Sequence, residues 1–176
     1  MKFSKKIVVI IVLIFFIGIS STIAYLVSKS SKINEFEIGN VDAKVNETFN
    51  KEEKTKKDVY ITNTGNIDEY VRVKINIYYK NNDDVIIYED PIINEDYTID
   101  LNLNDWFLSD DGYYYYKYKI GENKSTSNII NSLIYLKNYE DKSLTADVIV
   151  NVIQSNDKAL EEAWNKHIEN GLLKEE

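Results

Sequence analysis

The stretch from Asp58 to Tyr79 constrains the fold more than any other part of the chain. Its second half alternates apolar with polar side chains, the apolar ones being Val71, Val73, Ile75, Ile77 and Tyr79. A period of two predicts a β-strand with one buried face and one face toward water. The preceding Asn63-Thr64-Gly65-Asn66 predicts a tight turn, because Gly and Asn tolerate a positive φ. Two extended runs joined by such a turn are typical of a sheet protein.

Similar alternation recurs along the chain. It is found at Ile99–Leu103 and at Leu144–Val152, and Ser109-Asp110-Asp111-Gly112 has the composition of a hairpin turn before the tyrosine-rich run 113–120. We therefore predict a mainly β fold, an antiparallel jelly-roll or immunoglobulin-like sandwich over residues 36–155, with Trp106 in its core or capping it. The strand over Leu144–Val152 is expected to be central, because Ile149 and Ile153 make its second face partly apolar.

Two other segments carry clear local signals. The charged run Lys51–Lys57 is interpreted as a solvated loop. Residues 156–176 are interpreted as a short C-terminal helix and tail, with Ser155 or Asn156 as its cap and Gly171 as its stop. Its predicted apolar stripe consists of Leu160, Ala163, Trp164, His167 and Ile168.

The N-terminus has the pattern of a signal peptide over residues 1–24, followed by a flexible arm over residues 25–35. Three lysines precede an apolar run, Ile7–Ile19, and a small-residue stretch ends in Thr22-Ile23-Ala24. As a helix the apolar run reaches about 20 Å, less than the ~30 Å hydrocarbon core of a bilayer. We expect cleavage by a signal peptidase between Ala24 and Tyr25. The alternative is a retained membrane anchor over residues 7–27.

The charge of the chain limits its partners. The formal net charge is −8 with 29 acidic side chains, and removal of residues 1–24 would take away three lysines, leaving 18 basic side chains and a net charge of −11. An acidic exterior disfavours nucleic acid and anionic membranes as partners. We therefore predict no nucleic-acid binding, and a membrane association only through an uncleaved leader.

The residues needed for the common catalytic sites are scarce. There is no cysteine, one histidine (His167) and six scattered glycines, so thiol chemistry, multi-histidine metal sites and phosphate-binding glycine loops are not predicted. We expect neither an enzyme nor a cofactor. The tyrosines of Tyr113–Tyr118 permit two interpretations: an exposed stacking platform, as in a monomeric surface binding module for carbohydrate or a host ligand, and cross-strand packing within a sheet.

Several motifs together resemble the TasA/camelysin-like family of exported bacterial proteins. Ser21-Thr22-Ile23-Ala24-Tyr25 resembles the T-x-A-Y/F junction cut by that family's dedicated signal peptidase, and Asn34, Phe36, Gly39 and Val41 resemble its N-x-F-x-x-G-x-V element. The N-T-G…Y-V-R-V motif is matched by Asn63, Thr64, Gly65, Tyr70, Val71, Arg72 and Val73. Residues 111–117, with Gly121, Glu122 and Thr126, resemble its D-G-Y-Y-Y-Y-K…G-E…T block.

The resemblance implies a jelly-roll-like sandwich outside the cell, in surface or biofilm-matrix material. Members of this family assemble by lending an N-terminal strand to an open sheet edge of the next subunit, and Tyr25–Ile38 is the corresponding donor here. Camelysin-like members are also described as metalloproteases, but the single histidine of this chain argues against carrying that activity over. The resemblance therefore predicts a self-assembling, non-enzymatic protein.

Overall fold

Eleven strands and one short helix are formed by residues 39–175, the part of the chain that the computed structural model describes. The predicted signal peptide over residues 1–24, the Ala24–Tyr25 junction and the arm over residues 25–35 lie outside the described residues, as do Asn34 and Phe36. The described part is mainly β, as the alternating sequence predicted. No helix within residues 39–175 is long and apolar enough to cross a membrane.

The strands and the helix follow in chain order. They are β1 (Ala43–Asn50), β2 (Thr55–Asn63), β3 (Glu69–Asn81), β4 (Ile86–Ile87), β5 (Tyr97–Leu101), β6 (Trp106–Leu108), β7 (Tyr114–Tyr116), β8 (Ile130–Tyr135), β9 (Lys142–Gln154), α1 (Asp157–Trp164), β10 (Lys166–Glu169) and β11 (Leu172–Glu175).

Two antiparallel sheets form the sandwich. The first has the strand order β1-β2-β8-β5. The second is built on β3, which pairs along one side with β9 and along the other with β4 and β7, and β6 completes it beyond β7. The turn after Asn63 therefore carries the chain from one sheet to the other, because β2 and β3 belong to different sheets. The predicted hairpin turn at residues 109–112 joins β6 to β7 as expected.

The apolar face predicted for β3 lies in the core between the sheets. Val71 and Val73 are fully buried and pack with Val59 and Ile61 of β2. Trp106 is also fully buried, which confirms its predicted place in the core, and its ring centroid lies 5.0 Å from that of Tyr116. Truncating a buried tryptophan to alanine typically costs about 3–5 kcal/mol.

The C-terminal prediction is confirmed for a short helix and wrong for its extent. Asn156 caps α1 through its side chain, which accepts from the Ala159 amide, as one of the two predicted caps. The helix ends at Trp164, because Asn165 adopts a left-handed conformation. His167 and Ile168 therefore lie on β10 instead of continuing the helical stripe.

Gly171 does not stop a helix but belongs to the turn of a hairpin. Asn170 and Gly171 have φ values of 52° and 79° and connect β10 to β11. An Asn-Gly pair at two successive positive φ values is the preferred sequence of a tight hairpin turn. Together α1 and this hairpin cover the outer face of the second sheet, where Tyr70, Tyr115, Leu160, Trp164 and Leu173 form a second apolar cluster.

Three further predictions need correction. The charged run predicted as a loop turns only over residues 51–54, and Thr55 and Lys56 are buried at the start of β2. The tyrosine-rich strand is limited to Tyr114–Tyr116. The strand predicted to be central, β9, pairs only with β3 among the described residues and therefore lies at a sheet edge. Its second apolar face arises because Ile153 packs beneath the C-terminal elements, while Ile149 is 46% exposed.

Candidate functional site

The turn of the family-like motif binds the chain segment at which the described structure begins. The amides of Thr64 and Gly65 donate to the Asp42 carbonyl at 2.8 and 3.1 Å, and the Asn66 amide donates to the Asn40 carbonyl at 3.0 Å. The Asn66 side-chain oxygen accepts from the Asn40 amide at 2.6 Å. We call residues 63–66 together with residues 40–42 the N-terminal clamp. It fixes the point from which the preceding chain departs.

Asn63 holds the turn of the clamp from inside. Its side chain is fully buried, and Nδ2 donates to the carbonyls of Ile67 at 2.8 Å and Ile120 at 3.2 Å. Its Oδ1 accepts from the Gly65 amide at 2.8 Å. Because all of these partners are backbone groups, the asparagine replaces missing strand hydrogen bonds where the chain passes between the sheets.

Gly65 is required by space and not, as the sequence suggested, by a positive φ. None of residues 63–66 has a positive φ. A Cβ atom built on Gly65 would lie 2.2 Å from the Asn40 carbonyl oxygen and 2.9 Å from the Asp42 nitrogen, both of them backbone atoms. The two parts of the resemblance, Gly39–Val41 and Asn63–Gly65, are thus brought together because their backbones touch.

Glu69 places a buried carboxyl group beside the N-terminal clamp. Its side chain is fully buried, and neither carboxyl oxygen has a hydrogen-bond partner of ordinary geometry. Burial raises the pKa of Glu69 to about 7; the Asp42 backbone N–H opposes part of this rise, and the Asp42 carboxylate adds to it. A carboxyl group at this position favours its neutral form far more than a surface glutamate does.

The remaining motif residues lie on the two opposite faces of β3. Val71 points into the core between the sheets, whereas Tyr70 and Arg72 lie under the C-terminal elements. The Arg72 guanidinium carbon lies 4.2 Å from the ring centroid of Tyr113 and 4.8 Å from that of Trp164. The guanidinium group therefore joins the β6–β7 hairpin to α1 through cation–π contacts.

Hydrogen bonds complete the surroundings of Arg72. Its Nη1 donates to the Tyr115 hydroxyl at 2.9 Å and lies 3.3 Å from Asp111 Oδ2, which also accepts from the Tyr115 hydroxyl at 2.6 Å. Burial raises the pKa of Tyr115 to about 12, and the hydrogen bond to Asp111 adds to the rise. This network has a structural role, since its groups are used to fix one another and the C-terminal elements.

A long open strand edge is the most distinctive surface of the described residues. β9 has 13 residues, whereas the terminal strands β1, β5 and β6 have 8, 5 and 3. Within residues 39–175 no strand pairs with β9 on the side away from β3. An edge of this length offers a row of amide and carbonyl groups to any strand that can reach it.

The register with β3 identifies which backbone groups of β9 face outward. The Ser155 amide donates to the Asp68 carbonyl, whereas Glu69 exchanges both of its backbone hydrogen bonds with Ile120 on the opposite side. Because Glu69 is opposite Gln154 and antiparallel pairs alternate, the odd-numbered residues of β9 bond to β3. The residues whose amides and carbonyls face outward include Leu144, Ala146, Val148, Val150 and Val152.

The open edge of β9 faces the first sheet's edge strand, β1, across a groove. The groove has a volume of about 480 Å³ and is lined by Val45 and Glu47 of β1, by Lys56, and by residues 146–149 of β9. No pairing joins β1 to β9, although each is a terminal strand of its sheet. We call this groove, with its two strand edges, the acceptor groove. Each of the two edges offers backbone groups to an added strand.

Lys56 crosses the acceptor groove from inside. It is 8% exposed, and its Nζ donates at 2.8 Å to Glu47 Oε2 and at 2.8 Å to the Ala146 carbonyl. The Ala146 carbonyl is one of the outward groups of β9. A lysine of the first sheet thus occupies an acceptor on the open edge of the second.

The tyrosine run is largely taken up by packing. Tyr115 is fully buried in the cluster under α1, and Tyr114 and Tyr116 pack against the core between the sheets. Of Tyr113–Tyr118, only Tyr118 is more than a third exposed, at 42%. Cross-strand packing accounts for the run, and a continuous aromatic platform is not formed.

Among residues 39–175 no group of three or more His, Asp or Glu side chains is placed to hold a metal ion. His167 is exposed on β10, away from the N-terminal clamp and the acceptor groove in sequence.

The sequence contained signals for some of these features. Glu69 falls on the buried face of β3 by the same period of two that buried Val71 and Val73, so its burial could have been predicted. Lys56 was hidden within a charged run, and nothing in its neighbours marks it as buried. Nothing in the sequence indicates that β9 has an open edge, since alternation shows which face of a strand is buried but not which strands pair with it.

Comparison of the chain with protein-family models, with curated proteins and with solved structures finds no match.

Proposed function

We propose that this chain is an exported, non-enzymatic protein of the cell surface or biofilm matrix that assembles by strand addition. The open 13-residue edge of β9 carries the proposal, because it is the longest unpaired edge of the described residues. In the assembly, the segment Tyr25–Ile38 of one copy pairs with β9 of the next. The main-chain hydrogen bonds of the added strand satisfy the outward groups of β9.

The dimensions of donor and acceptor agree. A strand of 13 residues is roughly 45 Å long, and residues 25–38 in extended form span a similar distance of about 45 Å. The N-terminal clamp fixes residues 40–42, so the donor begins from a defined point on its own subunit. Cleavage between Ala24 and Tyr25 by a signal peptidase would free this segment, whereas an anchor retained over residues 7–27 would hold it at a membrane.

Carbohydrate or host-ligand binding through the tyrosine run stays a prediction, and no observation on the described surface favours it over strand addition. The run offers only Tyr118 as a well-exposed ring.

Truncation of the donor segment tests the proposal. Protein beginning at Tyr25 is expected to form fibres or large oligomers in analytical ultracentrifugation and electron microscopy. Protein beginning at Gly39 is expected to remain monomeric, because it retains the acceptor but lacks the donor.

A matched control separates strand pairing from the mere length of the segment. Ile33→Pro combined with Asn34→Pro keeps residues 25–38 but removes two successive amides, one of which an added strand must use. This variant is expected to behave like the truncated protein. Monomers from the protein beginning at Tyr25, or equal assembly by all three proteins, would contradict the proposal.

A further inference from the structure

Lys56 occupies a backbone carbonyl to which an added strand would donate a hydrogen bond. Its Nζ reaches the Ala146 carbonyl at 2.8 Å while it also contacts Glu47 Oε2 at 2.8 Å. Glu47 is on β1 and Ala146 on β9, so one ammonium group contacts both strand edges of the acceptor groove. The Lys56 side chain is 9% exposed, so little water competes with these two hydrogen bonds.

An incoming strand and Lys56 compete for the same oxygen. A strand that pairs with β9 directs an amide at each outward carbonyl, and the Ala146 carbonyl lies near the start of the row 144, 146, 148, 150 and 152. The ammonium group also lies between β1 and β9, in the groove beside the edge that the new strand would join. Addition over the full length of β9 therefore requires Lys56 to give up its bond to Ala146.

We propose that Lys56 is a latch on the acceptor groove, which keeps the edge of β9 closed to strands that cannot displace it. This inference rests on the proposed strand addition and specifies how the acceptor is controlled. An inward-pointing charge beside a long edge is a known means of preventing indiscriminate sheet pairing. The partner is the donor segment of a second copy, whose full-length pairing offsets the loss of one charge-assisted hydrogen bond.

Glu47 is the second partner of the Lys56 ammonium group. Its carboxylate is 40% exposed at the side chain and holds the ammonium group from the β1 side. Because Glu47 lies on β1 and not on the edge of β9, Lys56 can turn toward it without becoming an unpaired buried charge. The latch therefore opens without exposing the ammonium group to an apolar surrounding.

Lys56→Met tests the latch, because methionine fills the same space without the ammonium group. In protein beginning at Tyr25, this variant is expected to assemble about tenfold faster than the unaltered protein, as one charge-assisted hydrogen bond no longer has to be broken. Light scattering and electron microscopy give the rate. Lys57→Met is the matched control: it removes the same charge one residue away, at an exposed ammonium group 3.3 Å from Glu53. It is expected to assemble at the unaltered rate.

A second variant keeps the test independent of folding defects in the first. Glu47→Gln removes the carboxylate to which the displaced ammonium group turns, so this variant is expected to assemble more slowly than the unaltered protein, opposite in direction to Lys56→Met. Circular dichroism establishes that each variant is folded. If the unaltered protein, Lys56→Met and Glu47→Gln all assemble at the same rate, and only when the donor segment is present, the latch is overturned. Strand addition itself would then stand. Absence of assembly in every protein would overturn both.

Discussion

Replacing Gly65 by alanine is expected to lower the free energy of unfolding by about 3 kcal/mol. The added methyl group would meet the Asn40 carbonyl oxygen at 2.2 Å and the Asp42 nitrogen at 2.9 Å, and neither backbone atom can turn away as a flexible side chain could. Relief of the overlap has to separate the two segments of the N-terminal clamp. That separation breaks the hydrogen bonds from Thr64 and Gly65 to the Asp42 carbonyl.

Gly121→Ala provides the matched control for this prediction. A Cβ atom there meets Asp68 Oδ1 at 3.4 Å and Lys124 Cγ at 3.8 Å, which are ordinary contacts, and Gly121 has no positive φ. Denaturant unfolding of both variants measures the difference. Equal and small changes in the free energy of unfolding would show that the clamp is not closely packed at Gly65, contrary to the structure.

The second large effect is expected from Glu69→Gln, and it depends on pH. The pKa of Glu69 is about 7 in the folded chain and 4.5 in its ordinary, unfolded environment. The folded state therefore holds the proton more tightly, so this group's favourable contribution is fully present below pH 4.5 and is lost as the pH rises to 7. The shift corresponds to roughly 3 kcal/mol.

Glutamine is neutral at every pH and removes this loss. The variant and the unaltered protein are expected to have similar stability near pH 4.5, and the variant is expected to be more stable by roughly 3 kcal/mol above pH 7. Urea unfolding at several pH values measures the difference. Glu53→Gln, which alters an exposed carboxylate paired with Lys57, is expected to change stability by less than about 1 kcal/mol throughout. Parallel stability curves for Glu69→Gln and the unaltered protein would contradict a buried titrating carboxyl group.

The faces of the strands could be predicted from the sequence because burial follows a simple period. Val71 and Val73 lie in the core where alternation placed them, and the turn at residues 109–112 joins two paired strands. The same alternation, extended by two residues from Val71 toward the N-terminus, would have placed Glu69 on the buried face. These features depend on short stretches of chain, in which local periodicity and turn chemistry dominate.

The arrangement of strands could not be predicted in the same way. The apolar second face of β9 suggested a central strand, but Ile153 is covered by the C-terminal elements and not by a neighbouring strand. The stripe Leu160–Ile168 suggested a longer helix, although Asn170-Gly171 is a hairpin signal that competes with it. The burial of Lys56 depends on Glu47 and Ala146, which are distant from it in sequence or belong to another sheet.

The motif residues have structural roles in the N-terminal clamp and beneath the C-terminal elements. Asn63, Thr64 and Gly65 hold the segment that follows the proposed donor, and Arg72 fixes the C-terminal elements over the second sheet. The proposed working parts are a strand that leaves one copy and an edge that receives it on another. Under this account, substitutions in the clamp impair stability, whereas those in the groove alter assembly.

The hydrogen-exchange rates of successive backbone amides along β9 provide the most direct test of strand addition. In the monomer beginning at Gly39, NMR-detected hydrogen exchange is expected to be fast at Val148, Val150 and Val152 and slow at Ile149 and Asn151, which bond to β3. In assemblies of the protein beginning at Tyr25, the three valine amides are expected to become as slow as their neighbours. Valine amides that remain fast in the assembled protein would contradict the account.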